Sequence, residues 1–156
     1  MFHVSKPERR HGAAAVELAL LIPLILALLL GTWEAGRLIE VNQILDNAAR
    51  EGGRRASTGA LTNAQVRQEV LDYLQNAGLP VANAVVTVQN LTSPSTDVRD
   101  ATQMDQIRVA ITLPFNDVRW IALYLVTDST TNITADSVWY SVKDKDYPSL
   151  ADPPIE

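Results

Sequence analysis

The feature that most constrains this chain is an apolar run from Ala13 to Trp33, 21 residues long with a single charge, at Glu17. As an α-helix with a rise of about 1.5 Å per residue, the run is roughly 31 Å long, close to the ~30 Å hydrocarbon core of a bilayer. Its eight Leu, two Ile and one Val contribute roughly −3 to −7 kcal/mol to insertion, against about +2.5 kcal/mol for an acid at mid-bilayer. Glu17 lies near the end of the run and costs less, so the run predicts a membrane-spanning helix.

The charges on either side of this run predict its orientation. Lys6, Arg9 and Arg10 precede the run, whereas Arg37 is the only cation close behind it. Because short cytoplasmic segments are enriched in Lys and Arg, the N-terminus is expected in the cytoplasm and residues 38–156 on the other side of the membrane.

Two common kinds of membrane segment fit the run incompletely. A secretory signal peptide needs a small residue three positions before the cut, but a cut after Gly36 would place Glu34 there and a cut after Ala35 would place Trp33 there. The run is also longer than the usual signal-peptide core of roughly 7–15 residues. A plain signal anchor accounts for the apolar run and the flanking charges, but it leaves the arrangement of Gly12 and Glu17 unexplained.

The third kind accounts for both residues. Two arginines and a histidine precede Gly12, and Ala13-Ala14-Ala15-Val16-Glu17 leads into the apolar run. This arrangement resembles a type IV prepilin leader, which a prepilin peptidase cuts on the cytoplasmic side after the glycine. The resemblance implies a leader of residues 1–12, a cut between Gly12 and Ala13, and Glu17 as the fifth residue of the mature chain. The Glu17 carboxylate would pair with an ammonium, either its own terminus or that of a neighbouring subunit.

A longer stretch, roughly residues 9–57, resembles TadE-like proteins, the pseudopilins of tight-adherence (Flp) pilus systems. The resemblance rests on the apolar run interrupted by Pro23, on the junction Trp33-Glu34-Ala35-Gly36-Arg37 and on the stretch Asn47-Ala48-Ala49-Arg50-Glu51-Gly52. Major Flp-type pilins usually have tyrosine after the glutamate, whereas this chain has Leu18. That difference is typical of a minor pseudopilin rather than the main shaft subunit.

The resemblance implies a non-enzymatic, single-pass protein of the bacterial inner membrane that takes part in pilus assembly and is the substrate of a prepilin peptidase. Its implied partners are the lipid bilayer, other pilins or pseudopilins and the pilus assembly platform. The resemblance does not decide between three locations of the processed protein: within the filament, at the filament tip, or in the membrane as a scaffold. The alternative is an unprocessed, membrane-anchored extracytoplasmic module that binds a ligand or acts as a sensor.

The helical pattern continues beyond the apolar run. Apolar or small residues recur at spacings of three and four, at Leu38, Val41, Leu45, Ala48 and Gly52. The spacing predicts one helix from about Ala13 to Ala56, bent at Pro23 because proline removes a backbone donor.

Small residues on this helix are candidate packing positions. Ala27, Gly31 and Ala35 recur every four residues, either as a face on which another membrane helix approaches closely or as chance small residues facing lipid. Glycine costs about 1 kcal/mol inside a helix, so Gly52 indicates either the end of the helix or a close contact with another element, and the close contact is favoured.

The rest of the chain predicts an α+β fold: the long helix, then a second helix and a small antiparallel sheet. Thr62 can cap a helix over residues 63–77, and strands are expected near 84–91, 106–113 and 133–142. Residues 116–126 fit either a short helix or an apolar contact patch. The expected organisation is a leader at 1–12, the membrane and extended helix at 13–57, the outer domain at 58–146 and a tail at 147–156.

Composition excludes several kinds of chemistry. The chain has no cysteine, and its two histidines, His3 and His11, both lie in the expected leader. A mature chain would therefore have neither a Ser–His nor a Cys–His nucleophile. Loss of residues 1–12 removes three cations and one acid, which moves the net charge from −5 to −7 and disfavours nucleic acid as a partner.

Three aspartates are the remaining candidates for a site. Asp97, Asp100 and Asp105 could gather around a cation, or they could be ordinary solvated turn formers. The second interpretation is favoured because the loop is rich in Ser and Thr, so neither a metal nor another cofactor is expected.

Overall fold

The computed structural model describes residues 9–120 and 127–143, with side chains from Gly12 onward. The leader residues 1–8, the apolar stretch 121–126 and the tail expected at 147–156 lie outside the described residues. The elements are α1 (Arg9–Ser57), α2 (Asn63–Asn76), β1 (Val85–Asn90), β2 (Gln106–Pro114) and β3 (Asn132–Tyr140). Two short 3-10 turns, Val98–Asp100 and Phe115–Asp117, lie before and after β2. The predicted α+β class is confirmed.

The longest element, α1, runs without interruption for 49 residues and passes through Pro23. It begins at Arg9, four residues before the expected start at Ala13, and ends at Ser57. The early start has a simple cause: between Arg9 and the alanines that follow, Gly12 is the one poor helix former, and it costs only about 1 kcal/mol. The end of the expected leader and the apolar run therefore form one helix.

The second helix begins at a capping box. The Thr62 hydroxyl accepts a hydrogen bond from the Gln65 amide at 3.3 Å, and the Gln65 side chain accepts one from the Thr62 amide at 2.9 Å. Because these bonds satisfy amides that lack a helical partner, the start predicted from Thr62 is confirmed. Three apolar residues of this helix, Val66, Val70 and Leu74, are buried.

The sheet is antiparallel in the order β1-β2-β3. In the central strand β2, Val109 lies opposite Val88 of β1 and Ser137 of β3. Side chains of a strand alternate between its two faces, and the predicted apolar face of β2 is fully buried. Its members are Ile107, Val109, Ile111 and Leu113.

The second half of α1 packs on the buried face of the sheet. Val41, Leu45 and Ala48 of the predicted stripe are buried. At Gly52 a Cβ atom would lie 2.5 Å from Val70 Cγ2 and 3.3 Å from Val109 Cγ1. Gly52 thus lets α1 approach α2 and β2 together at one point.

This close approach predicts that Gly52→Ala destabilises the protein. The added methyl must displace two buried valines, and overpacking of this kind costs about 1–3 kcal/mol, which exceeds the ~1 kcal/mol that alanine gains in a helix. Gly36→Ala is the matched control, because a Cβ at Gly36 meets nothing within 4 Å. Urea unfolding of the full-length protein in detergent micelles measures both variants. Equal stability of the two would contradict the packing described at Gly52.

Candidate functional site

The described residues leave the N-terminal part of α1 exposed. From Val16 to Leu29 its large apolar side chains are between 45% and 74% exposed. Among the described residues, α1 is the one helix long and apolar enough to cross a membrane, and its most apolar 18-residue window is entirely unburied. This exposed apolar surface is consistent with a membrane anchor.

The expected processing residues lie on this bare segment. Gly12, Ala13 and Glu17 are all exposed residues of α1, and a Cβ at Gly12 would meet nothing within 4 Å. Ala13 and Glu17 are four residues apart in an α-helix, so they share one face and are separated by a rise of about 6 Å. The helix therefore places the Glu17 side chain one turn from the nitrogen that a cut after Gly12 would free.

The three small residues expected to form a packing face lie further along α1. Ala27 is exposed, whereas Gly31 and Ala35 are half-buried. Their role in packing between subunits stays a prediction.

The first buried residue along the described side chains of α1 is a charged one, Glu34. Its carboxylate lies 3.8 Å from Arg119 Nη2, and the two side chains are 6% and 4% exposed. The Thr127 hydroxyl connects them: it donates to Glu34 Oε1 and accepts from Arg119 Nη2 at 2.7 Å. Arg119 Nη2 also donates to the Asp128 carbonyl at 2.9 Å. These bonds fix α1 to the β2–β3 connection across 93 residues of sequence.

A second arginine strengthens the same attachment from the α1 side. Arg37 Nε donates to the Val118 carbonyl at 3.0 Å, and its Nη1 pairs with Glu40 on the next turn at 2.9 Å. The Arg37 guanidinium also lies 4.8 Å from the centre of the Trp120 ring. The residues Trp33, Glu34, Arg37, Val118, Arg119, Trp120 and Thr127 are called the junction from here on.

The junction ends in two aromatic rings that face outward. Trp33 of α1 and Trp120 of the β2–β3 connection are 56% and 63% exposed. Their ring centres are 6.1 Å apart with an angle of 70° between the planes, an edge-to-face arrangement. The junction therefore has a charged, buried interior and an exposed aromatic rim.

Another charged cluster lies near the end of α1. Glu51 accepts hydrogen bonds from Arg54 and Arg55, and Arg55 also pairs with Glu69 of α2 at 2.9 Å. The hydrogen bonds from Arg54 first, and then from Arg55, lower the pKa of Glu51 to about 2. Because the cluster is partly solvated, it contributes to the α1–α2 contact but has the character of a structural ion-pair network.

The three aspartates considered for a cation do not converge. Asp97 accepts from the Asn63 amide at 3.1 Å, which ties its loop to the start of α2. Asp105 instead accepts from the buried Asn90 side chain and from the Thr102 amide, both at 2.9 Å. No group of three His, Cys, Asp or Glu side chains within the described ranges is placed to hold a metal ion.

Sequence reasoning did not find the pairing of Glu34 with Arg119. One signal was present: Glu34 follows the apolar run at once and lies in a helix whose buried stripe begins nearby. A charge at such a position needs a partner, but nothing local to Glu34 identifies Arg119 as that partner.

The buried pair predicts a large effect when only one partner is removed. Arg119→Met leaves Glu34 buried without its cation and should destabilise the protein by about 3 kcal/mol or more. The double variant Glu34→Leu with Arg119→Met removes both charges and should recover part of that loss. Arg108→Met is the control, because the Arg108–Asp136 pair is about half exposed and should change stability by less than about 1 kcal/mol.

Thermal unfolding of the full-length protein in detergent micelles, followed by tryptophan fluorescence, measures this set. Equal losses in Arg119→Met and Arg108→Met would contradict the account of the junction.

Most of α1 matches a known protein family. The family model described as TadE-like protein matches residues 12–54. No curated protein and no solved structure matches the chain significantly. The match begins at Gly12 and ends in the last turn of α1, so it includes the bare run, the α1 side of the junction and the buried stripe. TadE-like proteins are pilus-associated and structural rather than catalytic. The resemblance to TadE-like proteins predicted from the sequence is thus confirmed over residues 12–54.

Proposed function

We propose that this protein is a TadE-like pseudopilin that takes part in the assembly of tight-adherence (Flp-type) pili. The TadE-like match over residues 12–54 carries the proposal, and it supports a role associated with these pili. In the proposed arrangement the N-terminus is cytoplasmic, α1 crosses the inner membrane once and the outer domain lies beyond it. The proposed partners are a prepilin peptidase, other pilins or pseudopilins and the assembly platform.

The two halves of α1 support a subunit that can leave the bilayer. Its first half is apolar on all sides and exposed, so either lipid or neighbouring apolar helices can cover it. Its second half is already buried in the subunit's own core, so the outer domain does not depend on what surrounds the first half. A helix built in this way can pass from lipid into a bundle of subunits while the outer domain stays folded.

Processing by a prepilin peptidase would cut α1 between Gly12 and Ala13. The peptide bond must leave the helix to be cut, and Gly12 lowers the cost of unwinding because glycine is about 1 kcal/mol less favourable than alanine in a helix. The cut frees an ammonium at Ala13 one turn from Glu17. In apolar surroundings this ammonium needs an anionic partner, and Glu17 of the same or of a neighbouring subunit supplies one.

N-terminal sequencing of the protein from cells that contain the peptidase tests this proposal. We expect a mature chain that begins Ala13-Ala14-Ala15-Val16-Glu17. Gly12→Phe should remain uncut yet inserted in the membrane, because its side chain crowds the cleavage site while the apolar run is unchanged. Glu17→Ala is the matched variant: it should be cut, since Gly12 is unchanged, but pilus assembly should fail because the Ala13 ammonium loses its partner.

An intact N-terminus in those cells would contradict processing. The chain would then be an uncut signal anchor, and the sensor or ligand-binding alternative would replace the pseudopilin. Normal pilus assembly by Glu17→Ala would contradict the role proposed for the Glu17 carboxylate. It would not contradict cleavage between Gly12 and Ala13.

A further inference from the structure

We infer that the outer domain touches the bilayer as well as being anchored by α1, and that Trp120 is the side chain that makes this second contact. The contact would be with the headgroup region of the leaflet at which α1 leaves the membrane. The inference rests on the membrane span of α1, but it requires neither cleavage at Gly12 nor a role in pili.

The two exposed tryptophans of the junction are the starting observation. Trp33 and Trp120 are each more than half exposed although their rings touch edge to face. Tryptophan is enriched where a bilayer meets water, because its ring is apolar and its N–H is a hydrogen-bond donor. Two such rings side by side, one from α1 and one from the outer domain, form a short aromatic belt.

The belt is continuous with the surface that lipid covers. Leu28 and Leu29 are the last strongly exposed leucines of the apolar run, and Trp33 follows Leu29 by four residues, a rise of about 6 Å. Trp120, in edge-to-face contact with Trp33, therefore lies within about one helical turn of the hydrocarbon boundary. A ring at that level meets lipid headgroups rather than bulk water.

Contacts of the two residues that precede Trp120 hold its ring in this position. Arg37 binds the Val118 carbonyl, and Arg119 is fixed by Glu34 and Thr127. The Arg37 guanidinium over the Trp120 ring adds a cation at the level of the lipid phosphates.

Two acids close to these residues each have a hydrogen-bond partner. Glu40 is paired with Arg37, and Asp117 accepts a hydrogen bond from the Asn83 side chain at 2.9 Å. Glu40 offsets the charge of Arg37 and Asp117 keeps its own charge, so the headgroup contact rests on the Trp120 ring rather than on net charge.

The third tryptophan is a built-in control. Trp139 of β3 lies against Gly53 of α1, and Gly53 is 20 residues beyond Trp33, about 30 Å along the helix. If α1 crosses the membrane, Trp139 therefore lies far from the lipid that Trp33 and Trp120 touch.

Bromine quenching in proteoliposomes tests the inference with the full-length chain. Three variants each keep one tryptophan and carry phenylalanine at the other two positions. Each variant is reconstituted into phosphatidylcholine whose acyl chains carry bromine near the headgroup end. We expect fluorescence of Trp33 and of Trp120 to be quenched at least roughly twofold more than that of Trp139, since only the first two lie at the interface. The single variant Trp120→Phe should likewise lose part of the quenching that the parent chain shows.

If Trp33 is strongly quenched but Trp120 is quenched no more than Trp139, the inference is wrong. The membrane anchor then still stands. Absence of quenching at both Trp33 and Trp120 would overturn the anchor and the inference together. Blue-shifted Trp120 emission that depends on the protein-to-lipid ratio, without bromine quenching, would show that a second subunit covers the ring, and it too would overturn the contact with lipid.

Discussion

The fold depends on one helix, α1, whose first part is exposed and whose second part packs in the protein core. Glu34 lies at the transition between the two parts. From Ala13 to Leu29 α1 is exposed and, apart from Glu17, apolar, whereas beyond Glu34 a stripe at spacings of three and four is buried. A carboxylate buried at the boundary would cost several kcal/mol without a cation and hydrogen bonds. Arg119 supplies the cation, and the Thr127 hydroxyl donates a hydrogen bond. These contacts of Glu34 attach the β2–β3 connection to α1.

The attachment fixes how the outer domain lies on its anchor. The sheet packs on the second half of α1, where Gly52 permits close contact with Val70 and Val109. The junction at Glu34 secures the same domain about five turns earlier, and Arg37 adds a bond to the Val118 carbonyl. With two separated points of attachment, the domain is carried as a rigid extension of the helix. That property suits the proposed pseudopilin, because a movement of the helix then moves the domain with it.

Local patterns in the sequence predicted much of this fold. The alternation at Ile107, Val109, Ile111 and Leu113 indicates a strand with one buried face, and the structure buries all four. The cap at Thr62 was also predictable, because a capping box involves only residues three apart. The TadE-like segment was recognisable for the same reason, since its apolar run, glycine and glutamate are close together in sequence.

What the sequence could not supply was the pairing between distant residues. The partner of Glu34 depends on how the β2–β3 connection returns to α1, which no local pattern encodes. Asp105 appeared to be a loop acid, but the loop places it against Asn90, whose amide it satisfies inside the core. The start of α1 at Arg9 was missed because Gly12 was expected to mark a boundary, whereas one glycine costs a long helix only about 1 kcal/mol.

Amide hydrogen exchange of the full-length protein in lipid nanodiscs tests the central claim, that α1 is one unbroken helix with the outer domain fixed to it at the junction. The account predicts continuous protection through residues 34–41, where α1 passes from lipid into the domain core, at a level similar to that of residues 42–52. Fast exchange confined to residues 34–41, with protection on both sides, would show a flexible hinge between anchor and domain and would contradict the account.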